Sequence, residues 1–225
     1  MLPWFADALS TDADDDVSLS RRVRRDMLGM ILGGQLEPGQ RINEPDVAAR
    51  LGTSRVPVRE ALRELQSSGL VVARKHSGTF VRQLEPLEVR HLYELRSVLD
   101  GYAGQRAASL PQKRRRALVA SLNAAIATMN DAAARHEVQR YHVENLRFHW
   151  ALIEAVDNPA FADTYRGVIR QLHVYRLKNL SRDPGMRVSI DEHTLISQAV
   201  RQGDPALAGS LQTQHVSDAW TRLGT

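Results

Sequence analysis

Three histidines and one asparagine in the second half of the chain have spacings that suit metal coordination. Asn145 and His149 are four residues apart, so both side chains would project from one face of a helix. His193 and His215 each stand eleven residues from Asp204, at the centre of a Gly-Asp-Pro turn, so an antiparallel hairpin would place them at the same height. If the helix that carries Asn145 and His149 faces this hairpin, three imidazoles and one amide oxygen converge. That donor set suits a divalent transition metal such as Zn²⁺ or Ni²⁺.

A second interpretation of these histidines stays open, because histidines scattered this widely along a chain are commonly structural or exposed. Four other histidines, His91, His136, His142 and His173, are interpreted in that way, although His142 lies two helical turns before His149. The chain contains no cysteine, which excludes disulfides, thiolate metal sites and cysteine nucleophiles.

Two arginines form a different chemical feature in the stretch GTSRVPVREALRELQSSGL, residues 52–70. Apolar residues in this stretch recur at i, i+3, i+4 and i+7, which predicts an amphipathic helix with Ser54 as its N-cap and Pro57 in its first turn. Arg55 and Arg59 share the outward side of that turn, where the helix macrodipole is positive and disfavours cations. An external anion would resolve this conflict.

The elements around this helix predict a winged helix-turn-helix. The segment LSRRVRRDMLGMILGGQLEPGQRI predicts a helix of about four turns that ends at Gly33 and Gly34. A short helix follows in NEPDVAARLG, with Asn43 as a possible N-cap and Gly52 at its end. Two β-rich segments follow, Val71–Arg74 and Thr79–Arg82, and Gly78 before the second can adopt the positive φ of a hairpin tip. The second helix of such a unit places its first residues in the major groove, so DNA would be the anion.

Charge is distributed unevenly along the chain. Residues 1–17 carry five acidic side chains and no basic one, residues 18–82 carry twelve basic and six acidic, and residues 83–225 carry eighteen basic and fifteen acidic. With 43% hydrophobic residues the chain can bury cores in two domains. We expect an acidic, disordered tail over 1–17, a DNA-binding domain over 18–82, a linker over 83–87 and an all-helical domain over 88–225.

The chain from residue 86 onward has six segments with helical periodicity and short polar breaks, which predicts an antiparallel six-helix bundle. The expected fold class is therefore mainly α, with an N-terminal winged helix-turn-helix, a small β-wing and this bundle. No apolar run approaches the length of a membrane span, and the first residues do not resemble a signal peptide. We expect a cytoplasmic protein with no membrane partner.

The stretch LGTSRVPVREALRELQSSGLVVARKHSGTFV resembles the DNA-binding signature of GntR-type bacterial transcription regulators. The resemblance implies that the following residues approach the operator DNA: Ser54, Arg55, Val56, Pro57, Arg59 and, in the wing, Gly78.

The segments NLRFHWALIEAVDNPAF and EHTLISQAVRQGDPALA resemble the FCD effector domain of the FadR-type subfamily. The metal ligands that this resemblance implies are Asn145, His149, His193 and His215. LYELRSVLDGYAGQRAA resembles the first FCD helix, whose arginine, here Arg96, points into the ligand cavity. A guanidinium beside a metal can bind a carboxylate in bidentate fashion. The alternative role for Arg96 is an ion pair with Asp100, four residues later.

We therefore expect a transcription regulator, a repressor rather than an enzyme, that senses a small carboxylate through a bound divalent metal and binds a palindromic double-stranded DNA operator as a homodimer. One alternative is the same regulator with a metal-free C-terminal domain that serves only dimerisation. Another is a metal-dependent hydrolase with an appended winged helix, since three-histidine sites also activate water. For the hydrolase, the sequence offers only Glu144 and Glu192 as general bases near the proposed ligands.

Overall fold

The computed structural model describes residues 18–32, 34–180 and 185–224, and the chain divides into two compact units between Glu85 and Pro86. The first unit combines helices with a small antiparallel sheet, and the second is built from helices. These elements confirm the predicted fold class. The tail predicted to be disordered, residues 1–17, lies outside the described residues.

The first unit is a winged helix-turn-helix. Its elements are α1 (Leu19–Leu32), β1 (Arg41–Ile42), α2 (Glu44–Arg50), α3 (Arg55–Ser67), β2 (Val71–Arg74) and β3 (Gly78–Val81). The turn between α2 and α3 contains Gly52 at φ 61°, a conformation that glycine adopts without strain. Val58, Ala61 and Leu65 of α3 are buried, so the predicted apolar face is the one that packs into the core.

The N-terminus of α3 has a conformation that fits the prediction only in part. Ser54 is the N-cap residue with an extended backbone, but its hydroxyl makes no capping hydrogen bond. Pro57 occupies the first turn, as predicted, and its ring is buried. The side chain of Ser54 therefore does not satisfy the backbone N–H groups at this end of the helix.

The wing has three strands rather than the two that the sequence predicts. The strand order is β1-β3-β2 and both pairings are antiparallel, with Phe80 of β3 opposite Arg41 of β1 and opposite Val72 of β2. β3 begins at Gly78, one residue earlier than predicted. β1 was missed because two residues are too few to produce a periodic pattern.

The second unit consists of six helices: α4 (Pro86–Ala108), α5 (Gln112–Ala134), α6 (Val138–Glu154), α7 (Pro159–Leu180), α8 (Gly185–Gln202) and α9 (Pro205–Gly224). The first of them begins at Pro86, within the segment 83–87 that the sequence analysis interprets as a linker. Within the described ranges, no helix is both long enough and apolar enough to cross a membrane.

Glycines allow α4 and α9 to pack closely in an antiparallel pair. A Cβ atom on Gly104 of α4 would lie 2.7 Å from the carbonyl oxygen of Ala208 in α9. Arg96 lies about two turns before Gly104, and His215 lies about two turns after Ala208. The close packing of these helices therefore brings Arg96 and His215 to the same level of the bundle.

Substituting Gly104 tests this packing. Gly104→Ala places a methyl group against backbone that cannot move independently, so we expect the free energy of unfolding to fall by about 1–3 kcal/mol. Gly167→Ala in α7 is the matched control, because a Cβ there meets no atom within 4 Å and alanine favours the helix. Urea denaturation followed by circular dichroism measures both. Equal stability of the two variants would contradict the close contact between α4 and α9.

Candidate metal centre and DNA interface

The three histidines predicted as ligands converge in the second unit. His149 of α6, His193 of α8 and His215 of α9 are buried, with at most 4% of each residue exposed. The Nε2 atom of His149 lies 3.4 Å from Nε2 of His193 and 3.2 Å from Nε2 of His215. One ring nitrogen from each residue lies within 4.8 Å of the others, which is a spacing that a single metal ion can bridge.

Carboxylates determine which nitrogen carries the proton in two of these imidazoles. His149 Nδ1 lies 2.8 Å from Asp100 Oδ1, and a guanidinium nitrogen of Arg96 lies 3.3 Å from His149 Nε2. Because a guanidinium only donates, His149 accepts at Nε2 and donates from Nδ1 to Asp100. His215 Nδ1 lies 2.6 Å from Glu192 Oε2 and donates to it in the same way. Both Nε2 lone pairs therefore point into the cluster.

The ionisation of His215 and Glu192 is consistent with this hydrogen bond. Burial lowers the pKa of His215, and the hydrogen bond to Glu192 raises it only in part. For Glu192, burial would raise the pKa, but hydrogen bonds from His215 and Arg222 bring it below its usual value. The guanidinium of Arg222 donates to both Glu192 oxygens, at 2.8 and 3.1 Å. Near neutral pH, His215 is thus neutral and Glu192 is ionised.

These contacts show that the residues fit a divalent transition metal. Nε2 of His149, to which Arg96 donates, lies 3.2 Å from Nε2 of His215, and neither nitrogen carries a proton in these tautomers. A cation held between them would bind both lone pairs. Three imidazoles, two of which donate from their outer nitrogens to carboxylates, are a common donor set for Zn²⁺ and related ions.

Asn145, the fourth predicted ligand, is buried one turn before His149 on α6. Its side chain hydrogen-bonds to the hydroxyl of Tyr141, whose pKa burial raises to about 12. Asp100, which bonds to His149, is a partner of the histidines that their spacing along the chain does not predict. A signal for it existed, since metal-binding histidines usually donate their second N–H to a carboxylate.

Arg96 makes the ion pair that the sequence suggests as its alternative role, and it also lies beside the histidine cluster. It is 2% exposed, and its Nε donates to Asp100 Oδ2 at 3.1 Å, which is the ion pair proposed as the alternative. Its terminal nitrogen stands beside His149, so the guanidinium also borders the histidine cluster. Burial alone would lower the pKa of Arg96, but the charge of Asp100 and contacts with Tyr165 raise it above its usual value. Arg96 therefore stays charged inside the bundle.

Another pair of histidines is buried in the same unit. His142 Nε2 and His173 Nδ1 lie 3.1 Å apart, between α6 and α7. By contrast, His91 and His136 are exposed. These positions agree with the interpretation of all four as structural or exposed residues.

In the first unit, the predicted DNA-contacting residues at the start of α3 are mostly exposed. The side chains of Arg55 and Arg59 are 56% and 53% exposed, and Val56 is also exposed, whereas Pro57 is buried. The position of these arginines predicts an anion from outside the protein. In the structure, the carboxylate of Glu44 in α2 also lies beside both arginines.

A groove of about 440 Å³ separates the start of α3 from the wing. It is lined by Arg41, Ile42, Asn43, Glu44, Pro45, Arg55, Arg59, Gly78 and Thr79. Gly78 has φ 100°, and a Cβ atom there would lie 3.2 Å from Nε of Arg41. Glycine at this position therefore allows the wing to approach the basic side of the groove.

The lowered pKa of His215 predicts how the stability of the metal-free protein depends on pH. Below the ordinary histidine value of 6.5, the unfolded chain takes up a proton that the folded chain does not, so the free energy of unfolding falls as the pH decreases below about 6.5. His215→Gln lacks this group and should show a shallower dependence. Urea denaturation in the presence of a chelator measures both proteins. An identical pH dependence would contradict a neutral His215.

Comparisons with known proteins agree with both units. The family described as bacterial regulatory proteins, gntR family, matches residues 19–81, and the FCD domain matches residues 91–218. A protein of Paenarthrobacter nicotinovorans, named probable D-xylose utilization operon transcriptional repressor, is 31% identical over 89% of this chain and 86% of its own length.

Two solved structures share the fold. One is a transcriptional regulator GntR from Rhodococcus sp. RHA1, 24% identical over 92% of this chain and 98% of that one, with a TM-score of 0.75. The other is E. coli McbR/YncC, 21% identical over 92% of this chain and 98% of that one, with a TM-score of 0.76. From the matches to both family descriptions and to the Paenarthrobacter protein, this chain belongs to the GntR family of DNA-binding transcription regulators with an FCD domain, and it is a regulator rather than an enzyme.

Proposed function

We propose that this regulator represses transcription as a homodimer on a palindromic DNA operator and releases the operator when a small carboxylate binds beside the histidine cluster. Residues 18–82 would bind DNA, and residues 88–225 would bind the effector and form the dimer. The observation that carries the proposal is the buried cluster of three imidazoles next to the guanidinium of Arg96.

The charges around the cluster support an anionic effector. Arg96 and Asp100 neutralise each other, as do Arg222 and Glu192. A divalent metal held by the three histidines, with Asn145 as the fourth proposed ligand, would add two positive charges and supply a Lewis-acidic site for a carboxylate oxygen. Arg96 donates from Nε to Asp100, and its terminal nitrogen beside His149 would donate to the carboxylate of the effector once the metal occupies the imidazole lone pairs.

Exposed apolar side chains on α4 support the dimer. Leu95, Val98 and Tyr102 are spaced i, i+3 and i+7, and Val98 is 67% exposed. Such a stripe suits a self-complementary interface with a second copy, and a two-fold dimer presents two recognition helices to a palindrome. The name of the Paenarthrobacter relative supports repression as the direction of control. A DNA operator as target places the protein in the cytoplasm.

The DNA-binding part is tested by substituting the arginines of α3. A duplex selected from a random pool by the wild-type protein serves as the operator. Arg55→Ala and Arg59→Ala should each weaken binding by about 1–3 kcal/mol if they contact bases, or flatten the salt dependence by about one unit if they contact phosphate. Fluorescence anisotropy across a salt series distinguishes the two cases.

Arg63→Ala is the control for these variants, because Arg63 is exposed on the same helix but does not line the groove. It should bind the selected duplex like the wild type. Unchanged affinity and salt slope for both Arg55→Ala and Arg59→Ala would remove α3 from its proposed role. Binding of one chain per palindromic duplex, measured by sedimentation, would contradict the homodimer.

The sensor part is tested by metal analysis and by acid binding. The double variant His193→Ala, His215→Ala should lose the stoichiometric Zn²⁺ or Ni²⁺ of the tag-free wild type, as measured by mass spectrometry. Arg96→Lys should keep the metal, because lysine still carries a charge beside Asp100, but it loses the planar fork that binds a carboxylate. A panel of small mono-, di- and tricarboxylates is tested by thermal unfolding. The affinity derived from the thermal stabilisation should be at least about tenfold weaker for Arg96→Lys than for the wild type.

The two variants separate the parts of the proposal. A wild-type protein that takes up no Zn²⁺, Ni²⁺ or Mn²⁺ would favour the metal-free dimerisation domain. Equal acid binding by the wild type and Arg96→Lys would remove Arg96 from the effector site while leaving the metal site intact.

A further inference from the structure

We propose that Glu44 of α2 determines the DNA specificity of this protein by holding Arg55 and Arg59 in position for base contacts and by suppressing sequence-independent binding. This inference rests on the proposed role of the two arginines at the operator. It concerns a residue to which the sequence analysis assigns no role.

The contacts of Glu44 come from a different helix than the arginines. Its Oε2 atom accepts a hydrogen bond from Nε of Arg59 at 2.7 Å, and a terminal nitrogen of Arg55 lies 3.6 Å from the same oxygen. The Glu44 side chain is 26% exposed, whereas both arginine side chains are more than half exposed. A partly buried carboxylate therefore contacts two exposed guanidinium groups through one oxygen atom.

The contact with Glu44 leaves the terminal nitrogens of the Arg59 guanidinium available for a base. Glu44 engages Nε, so the two terminal nitrogens of the guanidinium remain for a bidentate contact with a guanine. Holding the guanidinium at Nε also removes part of the rotamer freedom that an arginine otherwise loses when it binds a base. The carboxylate therefore positions the side chain of Arg59 for base contacts and does not occupy the terminal nitrogens that would make them.

The charge of Glu44 has a second effect, on non-specific binding. The groove carries three arginines, Arg41, Arg55 and Arg59, and Glu44 is the one acidic residue among those that line it. A DNA phosphate that approaches these arginines competes with the Glu44 carboxylate for the same guanidinium N–H groups, whatever the base sequence. Affinity for non-cognate DNA depends on such phosphate contacts and on the counterions that they release. Removing the carboxylate should therefore strengthen non-cognate binding.

Asp46 provides a matched control on the same short helix. Both Glu44 and Asp46 lie in the first turn of α2, so neutralising either one removes the same charge from the same helix end. The carboxylate of Asp46 accepts a hydrogen bond from the Asn43 amide at 2.7 Å and does not line the groove. A difference between the two variants therefore reports the contact with the arginines rather than net charge or helix stability.

The experiment measures dissociation constants of the full-length protein for two duplexes over a salt series. One duplex is selected from a random pool by the wild type, and the other is a scrambled duplex of equal length and composition. Glu44→Gln should bind the scrambled duplex more tightly, with a salt slope steeper by about one unit, and its ratio of specific to non-specific affinity should fall roughly tenfold. Asp46→Asn should keep the ratio within about twofold of the wild type.

The outcomes separate this inference from the proposed function. If Arg59→Ala weakens binding to the selected duplex but Glu44→Gln keeps the same affinity ratio as Asp46→Asn, Glu44 has no role in specificity and only this inference is overturned. If the wild type selects no sequence, or if Arg59→Ala has no effect, the role of the arginines fails and the inference fails with it. Thermal unfolding of each variant verifies that the affinities compare folded proteins.

Discussion

The effector domain depends on one electrostatic constraint, the meeting of histidine nitrogens in the buried interior of a helical bundle. Asp100 and Glu192 each accept a hydrogen bond from the outer nitrogen of an imidazole, which directs the inner nitrogens of His149 and His215 toward each other. Arg96 directs an N–H at Nε2 of His149, and a cation between the inner nitrogens would bind the lone pairs of both imidazoles. Burial makes a proton on His215 unfavourable, so a metal is the partner that this arrangement suits best.

The packing of the bundle serves the same site. The glycine contact between α4 and α9 sets Arg96 and His215 at one level, and the ion pair of Arg96 with Asp100 supports His149 from the side. A buried ion pair contributes little net stability compared with apolar packing. The ion pair of Arg96 with Asp100 instead fixes orientation, because the Asp100 carboxylate holds both the imidazole of His149 and the guanidinium of Arg96.

Much of the fold and part of the site could be predicted from the sequence. Periodicity identified the helices, and spacing alone brought His193 and His215 together because both lie on a hairpin with a clear turn. β1 was too short to leave a pattern. Partners such as Glu44 were missed because they reach across helices to the residues they hold, and a contact of that kind depends on packing rather than on spacing along the chain.

The most direct test of the account is an anomalous diffraction map of protein crystals grown with Zn²⁺ and collected at the zinc absorption edge. We expect a single strong anomalous peak from bound zinc in the second unit, among the Nε2 atoms of His149, His193 and His215. A map with no peak among these three nitrogens, or with the zinc held only by surface residues, would contradict it.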